Sequence, residues 1–169
     1  MSTVPMKGFS LVEVLVSIAI LGIIAVSAAS LLTGVMRSER RNGAISRVEI
    51  EANYALYQIT QSVRNATAVT VPSLAASGTS LTVAVAMIPA QNPTIVARSG
   101  TQVTLKRGTA AALPLTTDMV QVTGLTFTNV TANTTKGAVR IALTVANTNP
   151  SGAPELAYTK TYYTTVTLR

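Results

Sequence analysis

The chain contains no cysteine, no histidine and no tryptophan. Without cysteine, no disulfide can staple a domain or close a C-terminal loop. Without histidine, imidazole-based triads, the common zinc sites and most general-base designs are absent. Carboxylates are scarce too: six in 169 residues, with only Asp118 and Glu155 beyond residue 66. That is thin for a paired-carboxylate hydrolase, and a calcium cage needs roughly six to eight oxygen ligands. A Ser–Lys dyad is still permitted by residue type, but no motif points to one. The aromatic residues are two phenylalanines and five tyrosines. Tyr158, Tyr162 and Tyr163 fall together near the C-terminus, where strand packing explains them better than a base-stacking platform. The composition therefore predicts a protein that is not an enzyme, with no catalytic residue, no metal ligand and no cofactor.

Charge is missing altogether from residues 14–36, a run of 23 residues. As helix that run is about 35 Å long, enough for one bilayer crossing. It is too long for the apolar part of a secretory signal, and no small-x-small exit site closes it. Just before it stand Lys7, Gly8, Phe9 and then Ser10-Leu11-Val12-Glu13. The last four match a capping box, in which Ser10 caps the helix and Glu13 reaches back to the Ser10 amide. A capping box requires none of Lys7, Gly8 and Phe9, and a carboxylate at the mouth of an apolar span is costly.

Lys7-Gly8-Phe9 with Glu13 and the apolar run resembles the N-terminal segment of type IV pilins and of the pseudopilins of type II secretion. The resemblance runs from about Met6 through the first helix, with Ser10 and Leu11-Val12 as mild departures. It implies a leader, residues 1–8, removed after Gly8 by a prepilin peptidase that also methylates the new amine on Phe9. It implies that Glu13 then pairs with the N-terminal amine of a neighbouring subunit, so Phe9 and Glu13 are the expected assembly residues. Glycine before the cut keeps the backbone open to a protease. The resemblance also implies a single-pass segment with its N-terminus inside and the remaining chain outside, later drawn into an extracellular or periplasmic filament. Counting lysine and arginine alone points away from that orientation, because Arg37, Arg40 and Arg41 follow the span and only Lys7 and the amino terminus precede it.

No proline occurs between Met6 and Val71, so one helix is expected from Phe9 to about Ala66. Its segment 9–36 is the membrane and assembly half, where Gly22, Gly34 and Ser27–Ser30 are the candidates for bending. Segment 37–66 is amphipathic. Ile45, Val48, Ala52, Leu56, Ile59, Val63 and Ala66 recur in steps of three and four, an apolar stripe suited to a sheet. Arg40, Arg47, Glu51, Tyr54, Gln58, Gln61 and Arg64 fall on the other side, and Arg37, Arg40 and Arg41 mark the border with water.

Residues 67–169 hold 23 threonines and six of the seven prolines. Thr/Val/Leu alternation bounded by turns predicts strands at 68–71, 80–87, 94–99, 102–107, 119–129, 138–146 and 158–168, with a hairpin at Ser99-Gly100 and loops at 131–137 and 147–155. The fold class expected is α+β: a long N-terminal helix, membrane-spanning then amphipathic, packed on an antiparallel β-rich head of about 100 residues, as in the pilin fold. In the head seven basic residues face two carboxylates, a scattered excess that suits solubility or an anionic surface. Two classes of function follow. One is a structural subunit, a minor one, of a type IV pilus or type II pseudopilus, whose partners are prepilin peptidase, other pilin subunits and membrane lipid. The other is a single-pass anchored binding module that stays uncut. A DNA-uptake pilin is a variant of the first. It would use the positive charge on phosphates, yet no basic cluster interleaved with aromatics supports nucleic acid as a partner.

Overall fold

The computed structural model describes residues 10–131 and 137–169. The chain divides into two units, Met1–Glu39 and Arg40–Arg169. One helix, α1 (Leu11–Arg64), runs unbroken through 54 residues, as the missing proline allows. The Ser10 carbonyl accepts its first bond, from the Val14 amide at 3.2 Å, which puts Ser10 at the cap position. At the far end Ala66 donates to the Val63 carbonyl three residues back, so the helix tightens and ends at Arg64.

Within the second unit the amphipathic part of α1 buries Ala44, Val48, Ala52, Ala55, Ile59, Ser62 and Val63. The expected stripe is correct at its centre and shifted at its flanks. Ile45 and Leu56 are only half-buried, and the small Ala44 and Ala55 are buried in their place, as short side chains allow where a helix packs closely. Ser62 joins the buried face because its hydroxyl donates to the Gln58 carbonyl at 2.9 Å, leaving no polar hydrogen unmet.

Among the described residues nine strands follow, all antiparallel: β1 (Ala68–Val71), β2 (Ser77–Gly78), β3 (Ser80–Ala84), β4 (Thr94–Ser99), β5 (Gln102–Arg107), β6 (Leu113–Pro114), β7 (Val120–Asn129), β8 (Ala138–Asn147) and β9 (Thr159–Thr167). The expected antiparallel β-rich head is present, and its strands form two sheets. One has the order β1-β3-β4-β5-β6, the other β2-β7-β8-β9. β2 and β6 are two residues long and carry no period to read. They add an edge strand to each sheet. The segment 85–87, expected to prolong β3, leaves the sheet ahead of a 3₁₀ turn at Pro89–Gln91. A second 3₁₀ turn, Pro154–Leu156, closes the segment before β9. The expected 131–137 loop falls mostly outside the described residues.

The β4–β5 hairpin turns through Gly100 and Thr101, with Gly100 at φ 59. A positive φ at the first central position is what a type II′ turn asks of glycine. Its tip also couples the two sheets. The Thr101 carbonyl accepts from the Val122 amide at 2.8 Å, and Arg98 Nη1 donates to the Thr123 carbonyl at 2.8 Å. Thr123 sits where the β7–β8 register slips between Val122 and Gly124, so the arginine satisfies a carbonyl displaced from the ladder.

The inner faces of both sheets and residues 48–63 of α1 form one hydrophobic cluster. It is centred on Phe127, Ile59, Leu81, Ile141 and Leu143, all fully buried. Among the described residues, two ion pairs tie α1 to the strand region. Arg40 lies 3.8 Å from Glu155, so this arginine does more than mark a water boundary. Lys160 Nζ on β9 lies 2.8 Å from Glu49 Oε1 and 5.0 Å from the centre of the Tyr162 ring. The hydrogen bond to Glu49 raises the Lys160 pKa above its ordinary value, and burial raises that of Tyr162.

Candidate processing and assembly segment

Among the described residues of the first unit, α1 is the only element, so that unit offers its apolar side chains no packing partner. The most apolar eighteen-residue window of the helix has none of its residues buried. From Leu11 to Met36, fifteen large hydrophobic side chains are exposed. Each is worth about 1.5–3 kcal/mol once removed from water, so this surface requires lipid or another protein.

The polar side chains of the segment are already neutralised within the helix. Ser17 donates to the Glu13 carbonyl at 2.8 Å, Ser27 to Ile23 at 2.8 Å, Ser30 to Ser27 at 2.8 Å and Thr33 to Ala29 at 2.7 Å. Back-bonding of this kind lets a hydroxyl enter lipid without an unmet hydrogen. The sequence reading missed it, although the spacing of Ser17 after Glu13, and of Ser27 after Ile23, was the available signal. Gly22 and Gly34 have open space where a Cβ would be, and the helix continues through both.

Glu13 is what these bonds leave over. It lies in the first turn of α1 and is the single charged residue between Leu11 and Met36. Ser10 holds the cap position and Glu13 the third helical position, where the helix dipole favours a carboxylate. Lys7, Gly8 and Phe9 lie outside the described residues. A carboxylate at the head of such a helix can hold a cation.

Neither a curated protein nor a solved structure matches the chain. Residues 5–29 match a family model, the prokaryotic N-terminal methylation motif, and so span Lys7, Gly8, Phe9, Glu13 and the first turns of α1. The chain carries the cleavage-and-methylation signal of type IV prepilins on a long apolar helix, ahead of an α+β unit of two antiparallel sheets.

Proposed function

We propose that this chain is a structural subunit of a type IV pilus-like filament, cut after Gly8, methylated on Phe9 and assembled through α1. The observation that carries the reading is the isolation of Glu13. The apolar stretch from residue 11 to 36 has the hydroxyls of Ser17, Ser27, Ser30 and Thr33 satisfied within the helix and holds one charged residue, Glu13. Cleavage supplies the cation, a new amine on Phe9. At 4 Å and an effective dielectric near 20, such a pair attracts by about 4 kcal/mol before desolvation is subtracted. Lipid satisfies the rest of the segment but not that carboxylate, so a neighbour's amine favours packing over solitary anchoring. Before assembly the chain sits in the cytoplasmic membrane with the 40–169 unit outside. The unit itself acts as a covering domain rather than an enzyme.

Within this class we assign a minor subunit. The order of long helix, antiparallel strands and a closing Val166-Thr167-Leu168-Arg169 is similar to the larger minor pilins and pseudopilins. Intact-mass analysis of the native protein tests the processing step: the mature chain is expected to begin at methylated Phe9. A chain beginning at Met1 or Ser2 refutes the reading in favour of an uncut anchored module. Glu13→Ala is expected to leave cleavage intact and to deplete the protein from sheared filaments. Undiminished incorporation would reduce Glu13 to a helix cap. Immunogold labelling confined to filament ends, rather than spread along them, distinguishes a minor from a major subunit.

A further inference from the structure

Two cavities on the 40–169 unit carry opposite charge. The first opens at the C-terminal end of α1, lined by Arg64, Arg107 and Arg169 with Val85, Met87 and Ile88 among its apolar walls. No lining side chain is a carboxylate. Among the described residues, none of the three guanidiniums has a carboxylate within ion-pair distance. The three guanidiniums give this rim an excess of positive charge. Met87 is 89% exposed, an apolar side chain held in water beside a cationic rim.

The second cavity lies along α1 beside the segment that leads into β7, with Ile50, Glu51, Tyr54, Pro114, Thr117 and Asp118 in its lining. Its two charged residues are both acidic. Glu51 accepts from the Thr117 amide at 3.1 Å and the Thr117 hydroxyl at 2.8 Å. Among the described residues neither Glu51 nor Asp118 pairs with a cation. The other two carboxylates of this unit, Glu49 and Glu155, are matched by Lys160 and Arg40. Ile50 and Tyr54 are 66% and 52% exposed, so this cavity too pairs apolar surface with unmatched charge.

We infer that the two cavities are the halves of one contact between copies of this chain, the basic rim of one seated on the acidic cavity of the next. The inference rests on the filament reading above and names the surface by which neighbouring heads meet. Complementarity is twofold: guanidiniums face carboxylates, and Met87 and Ile88 face Ile50 and Tyr54. The apolar pairs supply affinity, and the charges set register and exclude the like-charged approach. Glu51 and Arg64 are thirteen residues apart on one helix, which places them about 20 Å apart along its axis and about 140° apart around it. One copy therefore cannot satisfy its own two patches. A contact between different patches is heterologous, and with an axial offset it propagates instead of closing.

The absence of cysteine makes the test clean. The full-length chain carrying Tyr54→Cys and Met87→Cys, assembled in cells and treated with a short bis-maleimide, is expected to give a short ladder, dimers and trimers above all, from the few adjacent copies that a minor subunit places at a filament end. Each single variant is expected to give none, and the two singles expressed together only dimers. Adding Asp118→Arg to the double variant is expected to weaken the ladder by about tenfold, the scale of a reversed interfacial charge. Adding Arg107→Glu as well is expected to restore it, which a misfolded variant does not do. Processed chains recovered in filaments without a ladder overturn this inference alone. So do dimers from a single variant, which mean a symmetric contact, or an Asp118→Arg loss that Arg107→Glu does not repair. An unprocessed chain absent from filaments, read by intact mass on the same sample, overturns the filament reading and this contact with it.

Discussion

Gly108 follows β5 at φ 55, and its amide donates to the Pro93 carbonyl at 2.8 Å. A Cβ on it would stand 2.1 Å from the Ala90 carbonyl oxygen and 3.0 Å from the carbonyl carbon. Ala90 belongs to the 3₁₀ turn Pro89–Gln91, and Gln91 and Arg107 both line the basic cavity. Alanine here meets two penalties. The left-handed conformation costs about 1–2 kcal/mol. Relieving a backbone clash of this depth shifts the 3₁₀ turn or breaks the Gly108–Pro93 bond, for about 1–2 kcal/mol more. Gly100 supplies the control, because it has φ 59 and nothing within 4 Å of its Cβ position. Gly100→Ala is expected to cost only the conformational part, and Gly108→Ala about 3 kcal/mol in all. Urea unfolding of the detergent-solubilised chain, followed by tyrosine near-ultraviolet dichroism, separates them. With a slope of about 2 kcal/mol per molar, the two midpoints should differ by about 0.5–1 M. Equal losses would show that the Ala90 carbonyl yields freely, and the argument that this turn fixes the cavity wall would fail.

Phe127→Ala should destabilise the 40–169 unit by about 3–5 kcal/mol, since Phe127 is the largest fully buried side chain and pairs with Ile141 across β7 and β8. A loss under about 1 kcal/mol in the same unfolding assay would mean that the two sheets do not share one core. Stability should also fall in alkali. Lys160 and Tyr162 both have raised pKa values, so each holds its proton more firmly folded than unfolded; their contribution is complete below about pH 10 and is lost as pH rises through the folded values. With no histidine or cysteine in the chain, the unfolding midpoint of this unit should stay flat from about pH 6 to 9, and a step near pH 7 would contradict the assignment.

The longest elements were the most legible in the sequence because period and punctuation agreed over many residues. No proline interrupts α1, and the alternation of Val139, Ile141, Leu143 and Val145 specifies β8 within one residue of its observed end. Short elements were not legible. Ser77–Gly78 and Leu113–Pro114 are strands only because β7 and β5 offer them an edge, a tertiary effect with no local signal. The helix stripe was displaced for a related reason: hydrophobicity alone favours Ile45 and Leu56, whereas packing distance favours Ala44 and Ala55. In the N-terminal segment the motif was fully readable. The basic cavity was not, because Arg64, Arg107 and Arg169 come from the end of α1, the end of β5 and the C-terminus.

The two parts of α1 meet different burial problems, and that difference explains why the motif and the sheets belong to one molecule. From residue 44 to 63 the helix finds its apolar partners within the chain, so the 40–169 unit can form its core before any filament exists. From 11 to 36 its own unit offers none among the described residues. Lipid can cover that surface, and the back-bonded hydroxyls of Ser17, Ser27, Ser30 and Thr33 add little to the cost of doing so. Glu13 alone distinguishes lipid from protein as the covering medium, because lipid tails offer a carboxylate no cation. Under the proposed reading, cleavage after Gly8 changes the preference by creating a positive charge at Phe9, four residues before Glu13, which one copy can offer to the next subunit's Glu13. Replacing Glu13 by glutamine rather than alanine isolates that step. Glutamine keeps the size and the hydrogen bonding but not the charge, so it should lose incorporation nearly as fully as alanine does. Incorporation restored by glutamine would mean that shape and hydrogen bonding, rather than charge, draw neighbouring helices together.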